Sequence, residues 1–203
     1  MLDIIEEKLK PLRTPFMIAE DGSSQTKLSN HGRFGFFVER VFGLSPNNDR
    51  RPDLIQGELK TMQEGKKISI GTMPESEFRA IKRASTHHFE LSDPYKKMKN
   101  TIVVVYKKYD NYNPVYEMIG WGLLDLKTMT PGTKKILQDD YELICKYIAK
   151  HCNSRDEVTS MIRRNGTVSG NYLSLGYKGQ GCGGYNYPSW GFQASFMKKL
   201  VHA

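Results

Sequence analysis

The chain of 203 residues is poor in cysteine, with three in all, and no two of them form a CxxC pair. Cys145, Cys152 and Cys182 therefore suit neither a disulfide framework nor a four-ligand zinc site, and a reducing cytoplasm is the expected location. Long apolar runs are lacking too. The 38% of hydrophobic residues is broken everywhere by charge, and no stretch approaches the roughly 18 apolar residues of a membrane span. The opening MLDIIEEKLK is acidic and has neither the basic nor the apolar region of a signal peptide, so secretion and membrane insertion are not expected. No internal repeat, low-complexity tract or long linker divides the sequence, which predicts a single domain over residues 1–203. A chain of this length buries a core without disulfide or metal staples.

What is abundant is positive charge. Thirty Lys and Arg stand against 22 Asp and Glu, a formal net charge of +8, and the sequence pI is about 9.3. Such a balance points to a polyanionic partner, with nucleic acid the first to consider. The excess is spread in pairs (Arg50-Arg51, Lys66-Lys67, Lys96-Lys97, Arg163-Arg164, Lys198-Lys199) and forms no block long enough for a disordered tail. A folded domain with a basic cleft and a merely solvated basic surface both fit this pattern.

The periodicities read as mixed α/β. Residues 2–10 suggest an amphipathic helix, and a second runs from the caps Ser29-Asn30 to about Phe42, with Phe34, Phe37, Val38, Val41 and Phe42 at helical spacing and Gly43 as its stop. Asp53–Thr61 and Lys67–Thr72 read as strands joined through Gly65 into a hairpin, followed by a helix over 75–85. The β-branched run Ile102-Val103-Val104-Val105 marks a buried strand at the centre of a sheet, with 115–126 as its neighbour. In that neighbour, Gly120 and Gly122 mark a bulge or a close backbone approach. Helices over 134–150 and 155–164, the latter capped by Ser154, precede a strand over 171–177. Gly179–Tyr187 reads as a surface loop and 192–201 as a closing helix.

Chemistry concentrates in Pro52-Asp53-Leu54-Ile55-Gln56-Gly57-Glu58-Leu59-Lys60. Glu58 and Lys60, two apart on a strand, leave the same face, and Asp53 lies just upstream. Two carboxylates near a phosphodiester suit Mg²⁺, which takes a few carboxylate oxygens and retains waters. A lysine beside them can orient or help deprotonate water and offset growing negative charge. The other reading is an exposed strand edge carrying ordinary charges. Glu39 stands alone in the aromatic helix Arg33-Phe34-Gly35-Phe36-Phe37-Val38-Glu39. It faces either a cation, a ligand or water, or it lies on the wet face paired with Arg40 or Arg33; spacing leaves both open.

These residues resemble a known family. Gly32 to Gly43, then Pro52-Asp53 and Gly57-Glu58-Leu59-Lys60-Thr61, look like the signature of the MutH-type endonucleases of the PD-(D/E)xK superfamily, which includes a mismatch-repair nickase and restriction enzymes cutting at GATC. The likeness continues at Tyr95-Lys96-Lys97-Met98-Lys99, at Tyr172-Leu173-Ser174-Leu175 with Lys178, and over 192–200. It implies a PD-(D/E)xK nuclease fold, a central mixed β-sheet flanked by helices. It implies that Asp53, Glu58 and the carbonyl of Leu59 hold Mg²⁺, with Lys60 as the catalytic lysine and Glu39 and Lys97 as supporting groups. It points to double-stranded DNA as partner, with Lys178 a contact, and Lys99, Tyr177 and Tyr185 are candidate DNA contacts beside it. The activity expected is that of a type II restriction endonuclease leaving 5′-phosphate ends at a short, GATC-containing site, acting as a homodimer on DNA. A strand-nicking repair enzyme and a non-cutting DNA-binding module of the same fold are the alternatives.

Other motifs are weaker. His87-His88 suits a solvated pair or phosphate contact better than metal ligation, because adjacent histidines point apart. Cys145, His151 and Cys152 suit small core positions better than zinc. Gly-Gln-Gly-Cys-Gly-Gly at 179–184 lacks the Lys-Ser/Thr ending of a nucleotide-binding loop and reads instead as a DNA-facing loop.

Overall fold

The computed structural model describes residues 2–18, 32–44, 57–84, 88–98, 100–110, 113–178 and 187–201. In chain order they form α1 (Leu2–Leu9), β1 (Phe16–Met17), α2 (Arg33–Val41), β2 (Glu58–Gln63), β3 (Ile68–Thr72), α3 (Glu75–Ala84), α4 (Asp93–Lys97), β4 (Thr101–Lys108) and β5 (Val115–Leu124). These are followed by α5 (Pro131–His151), α6 (Arg155–Asn165), β6 (Val168–Ser169), β7 (Leu173–Lys178), β8 (Tyr187–Phe192) and α7 (Ala194–Leu200). The chain makes two compact units, one of Met1–Gly65, Thr101–Leu123 and Leu200–Ala203, the other of Lys66–Asn100 and Leu124–Lys199.

The first unit carries a mixed sheet in the order β1-β5-β4-β2. β4 is buried at Thr101 through Val105, the expected centre of the sheet. β2 lies beside it in parallel, Glu58 against Thr101 and Lys60 against Val103. β5 alternates strictly between buried and half-buried residues, so only one of its faces is fully sealed. On one side of this sheet α1 and α2 enclose Ile5, Leu9, Phe34, Val38, Leu59, Ile102, Val104, Tyr116 and Met118. Phe34 stacks on Tyr106 with centroids 4.0 Å apart and Phe16 meets Phe37 at 5.1 Å, so an aromatic wall fills the gap between helix and sheet. α1 is tied down by Trp121, whose indole N–H donates to Glu6 at 2.5 Å. Gly122 is a close approach, as expected: a Cβ there would stand 2.5 Å from the Leu200 carbonyl oxygen.

The hairpin expected at Gly65 does not form. Gly65 does turn the chain, at φ +73°, but β2 pairs with β4 while β3 pairs antiparallel with β8 in a second sheet ordered β3-β8-β7-β6. β3 buries alternate residues, Ile68 and Ile70, while β2 buries Leu59 and Met62, and each pairs with a strand distant in sequence rather than with the other. β8 itself reads poorly as a strand, because Pro188 and Gly191 interrupt it. It is nonetheless internal to its sheet, with Leu173 opposite Phe192 and Leu175 opposite Trp190 on the buried face. The closing helix accordingly starts later than expected, at Ala194. α5 starts earlier, at Pro131, because Thr130 caps it by accepting from the Thr133 N–H at 3.3 Å. Ser154 caps α6 as expected, accepting from Glu157 N–H at 3.1 Å.

Two carboxylates buried inside the second unit escape sequence reading. Asp140 of α5, 3% exposed, accepts from the backbone N–H groups of Asn171, Tyr172 and Leu173 at 2.8, 2.6 and 2.9 Å, clamping the start of β7 to the helix. Gly170 is required beside it, since a Cβ would stand 2.1 Å from the Asp140 carboxylate. Glu77 of α3, 5% exposed, accepts from the Tyr141 hydroxyl at 2.9 Å and the Trp190 indole at 3.2 Å, joining α3, α5 and β8. Burial raises the Glu77 carboxyl to about 7 against the pull of those two donors, and Asp93 nearby adds to the rise.

Asp140→Ala strands the buried N–H groups of Tyr172 and Leu173 and loses the bond from the more exposed Asn171, and should cost about 3 kcal/mol in urea unfolding; a loss under about 1 kcal/mol would show that the clamp is dispensable. Glu77 binds its proton more tightly folded than unfolded. Its stabilisation is therefore complete below the ordinary carboxylate value and is lost as pH rises toward about 7. Between pH 4.5 and 8 the wild protein should lose on the order of 3 kcal/mol relative to Glu77→Gln, measured as the pH dependence of the difference in unfolding free energy. A flat difference would contradict the burial argument.

Candidate active site

β2 positions the central pair. Leu59 is 3% exposed in the core beneath α2, and the two-residue period of a strand then sends Glu58 and Lys60 out of the opposite face. There the Lys60 ammonium meets the Glu58 carboxylate at 2.5 Å, with side chains 30% and 18% exposed. The pair is sheltered yet reachable from solvent. The register holds it at the start of a parallel ladder, Glu58 being the first paired residue of β2.

α2 reaches the same strand by a close approach. Gly35 faces Thr61, whose hydroxyl oxygen would lie 3.2 Å from a Cβ at that glycine. The one small residue in an aromatic helix therefore lets it settle on β2. The helix ends in a Schellman pattern, Gly43 N–H to Arg40 O at 2.8 Å and Leu44 N–H to Glu39 O at 2.9 Å, with Gly43 at φ +77°. Glu39 is half-buried on this last turn. The expected caps Ser29 and Asn30 lie outside the described residues, and Gly32 stands at the N-cap without a side-chain bond.

Glu39, Glu58, Leu59 and Lys60 thus belong to the first unit, on two elements packed together. Lys97 and Tyr177 belong to the second. Lys97 ends α4, and its Cδ, Cε and Nζ lie over Gly71 of β3, each 3.1 Å from where a Cβ would stand. Tyr177 near the end of β7 is 51% exposed, with the Arg163 guanidinium 5.8 Å from its ring centre. Asp53, Lys99 and Tyr185 lie outside the described residues, as do His87 and residues 179–184, and of Lys178 only the strand backbone is described. Sequence reading missed Gly35 and Thr61 as the residues that seat α2 on β2; the lone glycine among aromatics was their signal.

Among the described residues no three His, Cys, Asp or Glu side chains gather closely enough to hold a metal ion. The described part of the expected donor set is the Glu58 carboxylate and the Leu59 carbonyl, hard oxygens of the kind Mg²⁺ takes. The zinc reading of Cys145 and Cys152 gains nothing: both are buried free thiols, and burial pushes Cys145 up to about 12.

No family model matches the chain, and no curated protein matches it. Among solved structures, the restriction endonuclease MvaI in complex with its cognate DNA superposes with a TM-score of 0.50 at 9% identity, covering 99% of this chain and 96% of that one. The chain accordingly shares a mixed α/β fold with that restriction endonuclease, the fold class expected from sequence. Among the described residues no helix is long and apolar enough to cross a membrane.

Gly35→Val should cost about 2 kcal/mol in urea unfolding by overpacking the α2–β2 contact, and adding Thr61→Ala should recover part of it by removing the facing hydroxyl. Full stability of Gly35→Val would refute the close approach.

Proposed function

We propose that the protein is a Mg²⁺-dependent endonuclease that hydrolyses phosphodiester bonds of double-stranded DNA at a short specific sequence, in the manner of a type II restriction enzyme. The observation that carries this reading is the sheltered Glu58–Lys60 pair on one face of β2, in a fold shared with a restriction endonuclease solved on DNA. The net charge of +8 supports a polyanionic substrate. Asp53, Glu58 and the Leu59 carbonyl would hold the ion, which supplies Lewis-acid polarisation of the phosphate and a more acidic bound water.

The chain's own residues do the rest. Lys60, held by Glu58, orients the attacking water and places positive charge where the phosphoryl oxygens gain negative charge. Glu39 supports the pair from α2, and Lys97 of the second unit offers a cation to the DNA backbone. Lys99, Lys178, Tyr177 and Tyr185 bind the duplex. Water adds to the phosphorus and gives up a proton, the P–O3′ bond breaks, and the departing 3′-oxygen takes up a proton from solvent, which leaves 5′-phosphate and 3′-hydroxyl ends. Cleavage of both strands of a palindrome calls for a homodimer on DNA, and a GATC-containing site is the first sequence to try.

The test incubates wild protein, Lys60→Ala and Glu58→Gln with unmethylated plasmid, with Mg²⁺ or EDTA, and maps the ends by sequencing. Discrete fragments with 5′-phosphates are expected, requiring the metal and falling about 10²- to 10⁴-fold in rate for Lys60→Ala. Nicked circles alone would replace the restriction enzyme with a strand-nicking one. Plasmid left intact under every condition would overturn the proposal.

A further inference from the structure

The second unit has a groove that no part of the proposed cleavage chemistry uses. It is a cavity of about 250 Å³ on the second sheet, lined by Lys67, Ser69, Thr167, Ser174, Tyr177 and Ser189 together with Gly176 and Gly191. In the ladder Ser174 stands opposite Gly191 and Gly176 opposite Ser189, the face away from Leu173, Leu175, Trp190 and Phe192. The large side chains of β7 and β8 thus fill the core beneath while hydroxyls and bare backbone floor the groove.

The hydrogen-bond inventory tells what this floor can accept. Ser189 Oγ lies 3.1 Å from the Gly71 carbonyl, 3.4 Å from the Trp190 carbonyl and 2.8 Å from Ser69 Oγ, a bond in which either hydroxyl can donate. Ser174 gives its proton to the Gly191 carbonyl at 3.2 Å. Ser174 and Ser189 are buried, whereas Ser69 and Thr167 are exposed, so the hydroxyls of Ser69 and Thr167 are the ones a ligand in the groove can reach. A hydroxyl both donates and accepts, which suits the polar edges of bases. Charge lies elsewhere: Lys67 is exposed at the rim, and no carboxylate lines the groove among the described residues. Tyr177 stands half-exposed on the lining with Arg163 against its ring.

We infer that this groove receives one strand of a DNA duplex, a phosphate resting on Lys67, a sugar or base against the Tyr177 ring, and a base edge at the exposed Ser69 and Thr167 hydroxyls. The inference rests on the nuclease reading for its ligand class and extends it to a set of recognition residues, Lys67, Ser69 and Thr167, which belong to the second unit and not to the unit that carries the Glu58–Lys60 pair.

The glycine at 176 provides a direct test. A Cβ there would have only the Thr167 hydroxyl near it, at 3.9 Å, and its φ lies outside the left-handed region, so a larger side chain fits the strand and projects into the groove. Wild protein, Gly176→Leu, Lys67→Ala and Lys60→Ala are compared by fluorescence anisotropy on a duplex containing the cleavage site, in EDTA and over a range of salt, with circular dichroism and thermal unfolding checking the fold. Gly176→Leu should stay folded and lose affinity about ten-fold or more. Lys67→Ala should weaken binding to all sequences and lower the salt slope by about one counterion. Lys60→Ala, which removes a cation from the proposed phosphate site of the other unit, should lower the salt slope by about one counterion whether or not the groove is filled, and gives the scale of a single lost phosphate contact. Wild-type affinity in both folded groove variants would overturn the inference while leaving nuclease activity intact. Groove-dependent binding by a wild protein that never cleaves would overturn the nuclease reading and keep the groove. If Gly176→Leu fails to fold, Lys67→Ala alone decides by its salt slope.

Discussion

The arrangement of the first unit hangs on the parallel pairing of β2 with β4. β4 is buried at five consecutive residues and admits a neighbour in one register only, the one that puts Leu59 into the core with Ile102 and Val104. A slip of one residue would drive Glu58 and Lys60 inward and bring Leu59 out, exchanging an apolar contact for two buried charges. The hydrophobic effect on Leu59 is therefore what aims the charged pair outward. The ion pair contributes less to stability by comparison, since the attraction between two partly sheltered charges is offset by the cost of taking them out of water.

Close backbone approaches set the remaining geometry. Gly35 lets α2 settle on β2 beside Thr61, and Gly122 admits the Leu200 carbonyl. In the second unit Gly170 makes room for the Asp140 carboxylate. At each place a side chain would collide with backbone, hydroxyl or carboxylate, and the element would move rather than the side chain. Glu39 rides on α2, so its relation to β2 follows from the absence of a methyl group at residue 35.

The second unit buries polar groups that a purely apolar core would exclude. Asp140 answers three N–H groups at the start of β7, and Glu77 answers a phenol and an indole. Each makes one geometry far better than its neighbours, because an unanswered donor in the interior costs more than a lost apolar contact. β8, with its proline and two small residues, is held in place by Trp190 and Phe192 against β7, and its indole is fixed by Glu77. The small residues left facing the other way are what open the groove.

Helices α1, α3, α5 and α6 and strands β4, β5 and β7 were legible in the sequence, because each carries its own period and its own stop or cap within a dozen or so residues. The same-face relation of Glu58 and Lys60 followed from strand geometry alone. Partnership was not legible. The Gly65 turn looked like a hairpin because local chemistry records that the chain reverses, while the choice of β4 and β8 as partners depends on which buried surfaces fit across long separations. β8 was missed for a related reason: its strand character comes from neighbours on both sides and not from its own residues. The amino-acid sequence by itself thus determined the segments, the charge and the identity of the acid–lysine pair. Only the tertiary structure decided that α2 would sit on β2 and that Lys97 would lie over Gly71. It alone turned serines and glycines from three strands into one groove, because contacts between distant segments are settled by packing volume and hydrogen-bond satisfaction, which no local window contains.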